Sequence, residues 1–237
     1  MTDKEIRINK YLSIAGIASR REAEELIKKN KIKINGKNAT LGQKISLDDI
    51  VEIDGKKICS FPKKKYYLLN KPKKTICTLK DRFNRTLVTS LIDDNNYLFP
   101  VGRLDYDTTG VLIITNDGEL ANRLTHPSNQ IKRIYRVRIN ESLSNKELLY
   151  LNSNNIYINN KKSNHIIEQV NKKSYLVTLT QGSYHHVKKI FELVNKKVLD
   201  LKRVEFAGLT CEKIPIGSYR ELKKYEIKTL KNLVNLN

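Results

Sequence analysis

Two periods of hydrophobic spacing organise this chain, one helical and one extended. Near the start, Ile8, Leu12 and Ala15 recur at i, i+4 and i+7, which predicts a short helix ending at Gly16. Ser19 with Glu22 three positions on is a capping box, and Ala23, Leu26 and Ile27 give the next helix its buried face. Lys28 and Lys29 occupy its last turn, where they suit the helix dipole, and Asn30 ends it. Lys31 to Ile34 then alternates charged and apolar residues into Asn35-Gly36, a hairpin signal, and Ile50 to Ile58 repeats the pattern around Asp54-Gly55. The prediction is a small helix-helix-hairpin domain over residues 1–60.

Cys59 to Lys65 reads CSFPKKK, has little periodicity and predicts a linker. A larger domain is expected over residues 66–237. Tyr66 to Asn70 reads as a buried strand stopped by Lys71-Pro72. Val111 to Thr115 reads as another, leading through Asn116-Asp117-Gly118 into a short helix around Leu120 to Leu124. Ile134 to Asn140 sets Tyr135, Val137 and Ile139 on one side and Arg136 and Arg138 on the other, while Ser144 and Glu147 cap a helix through Leu151. Residues 152–173, rich in Asn and Lys, predict a peripheral excursion with short edge strands. Tyr175 to Thr180 is a further strand, and Val187, Ile190, Phe191 and Val194 mark the apolar face of a helix. Val198 to Phe206 is expected to close the sheet. Strands and helices mix without regular βαβ repetition, so the class predicted is α+β, with a mainly antiparallel sheet and flanking helices.

The 237 residues suit two domains at most, and 39% hydrophobic with 30% charged residues, spread along the chain, argue for a folded protein. The longest apolar stretches, such as Val111 to Ile114, fall far short of the roughly 20 residues that cross a bilayer, so no membrane association is expected. The first ten residues carry no apolar run of the kind a secretory signal needs. Cys59, Cys77 and Cys211 lie too far apart for a CxxC metal or redox motif, so a reducing, cytoplasmic setting is expected. The net charge of +20 points to a polyanionic partner, although a lysine-rich composition makes a protein basic whatever it binds. Seven basic residues against three acidic ones between Arg20 and Lys37 predict one positive face on the small domain.

No Walker loop, HExxH, GxSxG or GxGxxG is present, which removes the common phosphate, zinc and hydrolase templates. The informative segment is Pro100 to Gly110, PVGRLDYDTTG, followed by the apolar run Val111 to Ile114 and the turn Thr115-Asn116-Asp117-Gly118. Two polar, glycine-containing turns thus flank a buried strand, and such a loop can present a carboxylate. On residue type alone Asp105 is one of three aspartates here, each equally suited to capping a turn.

GRLDYDTTGVLIITNDGELANRLTHP resembles the catalytic motif of the ribosomal RNA pseudouridine synthases of the RsuA/RluB type, whose core reads GRLDxxTxGLLLxTNDG. NKYLSIAGIASRREAEELI with IKING is similar to the small RNA-binding domain of ribosomal protein S-four. YYLLNKP, KRIYRV and FAGL followed by PIGSYREL also resemble family segments in the expected order, so the likeness covers nearly the whole chain.

The resemblance implies an enzyme that detaches uracil from its sugar, turns it and rejoins it through carbon five, with no redox change and hence no cofactor. Asp105 matches the family's catalytic carboxylate, acting as nucleophile or as base. A carboxylate that must stay ionised beside an unstacked base needs a cationic neighbour, and Lys188, in the His185 to Phe191 run, matches the family's basic partner. Tyr135 matches the tyrosine that lines the uracil pocket and assists loss of the carbon-five proton. Arg103 is placed to fill the space a flipped nucleotide leaves or to hold phosphate, unless it pairs with Asp107. Asn70 and Lys71, of the NKP motif, shape the site floor. Arg20, Arg21, Lys31 and Lys33 of the small domain, with Lys189 of the larger one, are the expected contacts to RNA. His126, His185 and His186 lack metal-ligand spacing and read as structural or RNA-contacting, so no metal is expected.

Two departures from the family pattern stand out. Lys74 occupies a position where the family usually has glycine, and Gln181 one where it usually has an acidic residue. Both suggest an alternative: a non-catalytic RNA-binding protein of ribosome assembly. His186 in place of the usual Gln, and Lys188-Lys189 where Arg is common, weaken forked recognition of phosphate. The expected partner is ribosomal RNA or a partly assembled ribosomal subunit, met by a monomer. The ending and the TNDGELANRLTHP stretch favour a large-subunit target, while the Tyr-His-His-Val-Lys-Lys run resembles small-subunit enzymes.

Overall fold

The Ser19 hydroxyl accepts the Glu22 N–H at 3.2 Å while the Glu22 carboxylate accepts the Ser19 N–H at 2.9 Å, closing the capping box that starts the helix Arg20–Lys28. The structure, a computed structural model, describes residues 5–46, 48–59 and 61–236. Ser60 of the expected linker and the outermost ends of the two expected domains, 1–4 and 237, lie outside the described residues. The shorter helix Ile8–Ile14 packs on Arg20–Lys28, and Gly16 takes the left-handed conformation that ends it (φ +73°). Asn35-Gly36 and Asp54-Gly55 both adopt positive φ, as tight hairpins require, and turn the strand pairs Ile32–Ile34 with Lys37–Asn38 and Val51–Ile53 with Lys56–Lys57. The two inner strands pair antiparallel. Ile8, Leu12, Ala23, Ile27, Ile32, Ile45 and Val51 form the core beneath them.

The chain divides into two units, one from the residues up to Lys65 with Asp94–Leu98, the other from Tyr66–Asp93 and Phe99 onward. Asp94–Leu98 thus clusters with the small unit, although the sequence places it within the larger domain. Tyr97 explains why: its hydroxyl meets the Glu22 carboxylate at 3.3 Å.

In the larger unit the strand order across the main sheet is His165–Asn171, Ser174–Leu179, Arg133–Ile139, Val198–Phe206, Thr109–Thr115, Tyr66–Lys71, Tyr219–Glu221. Every neighbouring pair on this path is antiparallel except one: Val198–Phe206 and Thr109–Thr115 run parallel, with Lys202 opposite Thr109 and Arg203 opposite Gly110. Val198–Phe206 therefore lies mid-sheet and does not close it. The expectation failed because the closing strand, Tyr219–Glu221, pairs with Tyr66–Lys71 from the far end of the sequence. A helix over Lys224–Leu233, also not foreseen, covers one face beside Gly118–Thr125, and Leu120, Leu124, Val111, Ile113, Phe206 and Leu230 share that core.

The Asn- and Lys-rich excursion ends in the seven-residue edge strand His165–Asn171, longer than expected, whose register slips between Gln169 and Asn171. The helix His186–Glu192 stops before Val194, so that residue lies past the apolar face assigned to it.

Candidate active site

Tyr66–Lys71 and Thr109–Thr115 are buried at every position, so the loop entering Thr109–Thr115 springs from a rigid base. Lys71 makes that base polar. Although fully buried, its ammonium donates to three main-chain carbonyls, Pro72 at 3.0 Å, Asp105 at 3.1 Å and Thr108 at 3.0 Å. Burial pushes its pKa below the ordinary lysine value, opposed by the charges of Cys77, Asp105 and Asp107. The Lys74 N–H donates to the Tyr106 carbonyl at 2.8 Å from a left-handed backbone, φ +63°, which is the conformation that favours glycine there. Two successive segments thus brace the turn that carries Asp105.

Gly110 is where the turn meets the parallel strand. A Cβ at this position would lie 2.1 Å from the Arg203 carbonyl oxygen, so only glycine permits the approach. Arg203 itself is buried, its Nε donates to Val111 O at 2.7 Å, and its guanidinium lies 4.7 Å from the Phe206 ring centroid.

These elements wall a cleft of about 770 Å³ that Arg103, Asp105, Tyr106, Tyr135, His185 and Arg203 help to line. The Asp105 carboxylate is 31% exposed, within reach of solvent but not loose in it. Lys188 Nζ lies 3.9 Å from it and His185 Nε2 3.8 Å. Lys188 is committed elsewhere: it donates to both oxygens of Asp107, at 2.8 and 2.9 Å. Burial alone would raise the Asp107 pKa, but the hydrogen bond and charge of Lys188 prevail and hold it below the usual carboxylate value. Asp107 is thus the partner of Lys188, not of Arg103. Tyr135 stands in the strand Arg133–Ile139, opposite Arg203 on one side and Val177 on the other, with its side chain largely buried.

The residues singled out in the sequence fall into four places. Asp105, Tyr135 and exposed Arg103 share the cleft, and Lys188 stands beside it. Asn70 and Lys71 are buried behind it, where the Asn70 amide donates to Ile214 O at 2.7 Å; neither lines the cleft surface. Lys189 bonds Asn159 and lies 5.8 Å from the Tyr184 ring centroid. Arg20, Arg21, Lys31 and Lys33 are exposed on the small unit, with Lys31 paired to Asp54.

Arg203 escaped the sequence reading, and His185 was read only as structural or RNA-contacting. Arg203 left a signal, since Leu201, Arg203 and Phe206 are the buried positions of their strand and an arginine there breaks the apolar pattern. His185 left none that separates it from His186, yet the two differ completely. His186 is buried in a hydrogen-bonded chain: Ser183 Oγ meets His186 Nδ1 at 3.1 Å, His186 Nε2 meets Ser163 Oγ at 2.7 Å, Ser163 Oγ meets His165 Nδ1 at 2.7 Å, and His165 Nε2 meets Leu151 O at 2.8 Å. Burial lowers both imidazole pKa values, that of His186 to about 4, where the neighbouring His165 adds to the effect.

Among the described residues no cluster of His, Cys, Asp or Glu could hold a metal, and no helix is long and apolar enough to cross a membrane. A carboxylate on a braced turn, a lysine and a histidine near it and a tyrosine in the wall of the same cleft thus share one site. Residues 65–193 match the RNA pseudouridylate synthase family and residues 6–51 the S4 domain. The chain belongs to the RNA pseudouridylate synthase family. It is 37% identical, over 97% of both chains, to ribosomal large subunit pseudouridine synthase B of Bacillus subtilis. It is 38% identical to an uncharacterized RNA pseudouridine synthase of Aquifex aeolicus over 98% of this chain and 96% of that one. A crystal structure of a pseudouridylate synthase superimposes with a TM-score of 0.70 at 25% identity, covering 95% of this chain and 99% of that one.

Proposed function

We propose that this pseudouridine synthase isomerises one or more uridines of ribosomal RNA, with the large subunit as target. The observation that carries the reading is Asp105, held on a turn braced by Lys71 and flanked by Lys188 and His185 in a cleft with Tyr135. The names of relatives such as the Bacillus subtilis enzyme, which match almost the full chain, support the large-subunit target.

In this reading the target uridine leaves its stack and enters the cleft, and Arg103 takes up the space it vacates or holds a phosphate. Asp105 acts beside the sugar as nucleophile or base while the bond from nitrogen one to the sugar breaks. Uracil turns within the cleft, its carbon five bonds to the sugar, and the carbon-five proton leaves with help from Tyr135. The base keeps its atoms apart from exchanged protons, so the reaction consumes no redox partner or energy source. Lys188 keeps the Asp105 charge compensated as the cleft fills and water leaves. Arg20, Arg21, Lys31 and Lys33 grip the RNA backbone and Lys189 supplements them.

The test is tritium release from carbon five of labelled uridine in large- and small-subunit ribosomal RNA, with the native protein and with Asp105→Asn. Release from large-subunit RNA, absent in the variant, supports the reading. Release from small-subunit RNA alone moves the target. No release from either RNA, free or in partly assembled particles, favours a binding role in ribosome assembly.

A further inference from the structure

The two most exposed aromatic side chains among the described residues, Phe83 at 78% and Tyr184 at 72%, stand on two loops that both contribute to the wall of the Asp105 cleft. Both rings are largely open to solvent, yet neither is carried on a slack segment. The Asp81 carboxylate accepts the Phe83 N–H at 3.1 Å and the Arg85 N–H at 2.9 Å, and grips the Arg85 guanidinium at 2.6 and 3.1 Å. That knot fixes a tight loop with Phe83 at its tip and brings the Arg85 guanidinium 5.2 Å from the ring centroid. Asp81 and Arg85 line the cleft on either side of Phe83 in sequence.

Tyr184 is organised differently to the same effect. Its ring stacks on the His185 imidazole at 3.9 Å with 17° between planes, its carbonyl accepts from Asn159 at 3.0 Å, and Lys189 lies 5.8 Å from the ring centroid. The stack runs straight to the chemistry, because that imidazole is the one 3.8 Å from Asp105. An exposed ring with a cation within about 6 Å is the arrangement that receives a nucleobase: the ring supplies a stacking face and the cation meets the phosphate or the base π-system.

We propose that Phe83 and Tyr184, each with its cation, form a stacking subsite for the unpaired nucleotides that flank the isomerised uridine. The proposal rests on the reading of the chain as an enzyme acting on RNA and extends it by naming what holds the neighbours of the target. An RNA whose target base has left its stack offers unpaired faces on both sides, and two organised rings on loops that wall the cleft capture them. Ring stacking tolerates any base, so the subsite selects for local single-strandedness and leaves sequence to other contacts.

The test compares two fluorescein-labelled probes at 0.15 M KCl, single-stranded r(U)9 and a nonamer of the same backbone without bases, bound to the full chain and followed by anisotropy. The native protein is expected to prefer r(U)9. Phe83→Ala and Tyr184→Ala should each lose about tenfold on r(U)9 and nothing on the base-free nonamer, with Phe83→Trp restoring the native affinity. Both rings are exposed, so the thermal midpoints of the variants should match the native one. Equal loss on both probes, no loss on either, or no native preference for r(U)9 overturns the proposal. Tritium release is scored separately. Native release with no ring dependence sinks the subsite alone, whereas ring-dependent binding without release from any ribosomal RNA sinks the assigned activity and leaves the subsite standing.

Discussion

The Lys71 ammonium donates to the Asp105 main-chain carbonyl at 3.1 Å across 34 positions of sequence. The side chain behind the cleft therefore sets where the carboxylate in front of it stands. Lys71→Met removes the donor shared by three buried carbonyls and is expected to cost about 3 kcal/mol of unfolding free energy, since hydrogen bonds from charged donors are the strong ones. Urea denaturation measures this. Tritium-release kinetics should show kcat falling further than KM rises, and unchanged stability would mean that the three carbonyls are satisfied without the ammonium.

Lys188 divides its charge between two carboxylates, bonded to Asp107 and 3.9 Å from Asp105. Lys188→Ala leaves both without their ammonium and should lower kcat/KM by about 100-fold, or roughly 3 kcal/mol of transition-state stabilisation. Asp107→Asn frees Lys188 to turn to Asp105 and should change kcat/KM by less than about threefold. Comparable losses in the two variants would show that Lys188 serves activity chiefly by ordering Asp107.

The buried His186 adds a pH dependence. Its folded pKa, about 4, lies below its unfolded value near 6.5, so between these values the unfolded chain binds more protons and stability falls as pH falls. Acidification from pH 7 to 5 should remove about 2 kcal/mol through this group, while most carboxylates stay ionised. His165, shifted in the same direction, adds to the loss. Denaturant midpoints at the two pH values measure it, and His186→Gln should flatten the slope; a variant as acid-sensitive as the native chain would assign the effect elsewhere.

Gly110 and Gly102 both have positive φ, but only Gly110 meets backbone. Gly110→Ala would press a methyl group against Arg203 O, 2.1 Å from the ideal Cβ, and should cost more than about 4 kcal/mol or prevent folding. Gly102→Ala would set its methyl 3.4 Å from Thr125 Cγ2, an ordinary van der Waals contact, and should cost about 1 kcal/mol from backbone conformation alone. Thermal melts of the two variants separate these cases.

What could be read from the sequence was local. The boxes at Ser19–Glu22 and Ser144–Glu147 and the turns at Asn35-Gly36 and Asp54-Gly55 fold from residues within a few positions of each other, and each appears where the spacing put it. Tyr219–Glu221 was missed because three residues have no period of their own and owe their extended form to Tyr66–Lys71, about 150 positions earlier. The parallel pair at the sheet's centre was equally hidden, because chain order, not side-chain pattern, sets strand direction. At the site, the turn carrying Asp105 stood out as a motif, but the letters paired Lys188 with Asp105 and left Asp107 to Arg103, whereas in the fold Lys188 bonds Asp107 and lies 3.9 Å from Asp105. Lys74 shows the reverse case: its departure from a usual glycine marked a position whose backbone is in fact left-handed.

The edge strand His165–Asn171 carries exposed Ile166 and Val170 at one end of the sheet's strand order, and midway along it the Asn152 amide takes up the main chain of Ile167, accepting its N–H at 2.8 Å and donating to its carbonyl at 2.9 Å. The register slip between Gln169 and Asn171 bends that margin out of line, and Glu168 sets an exposed negative charge along it. An amide, a charge and a broken register on one short strand thus leave little of this edge able to template a further strand.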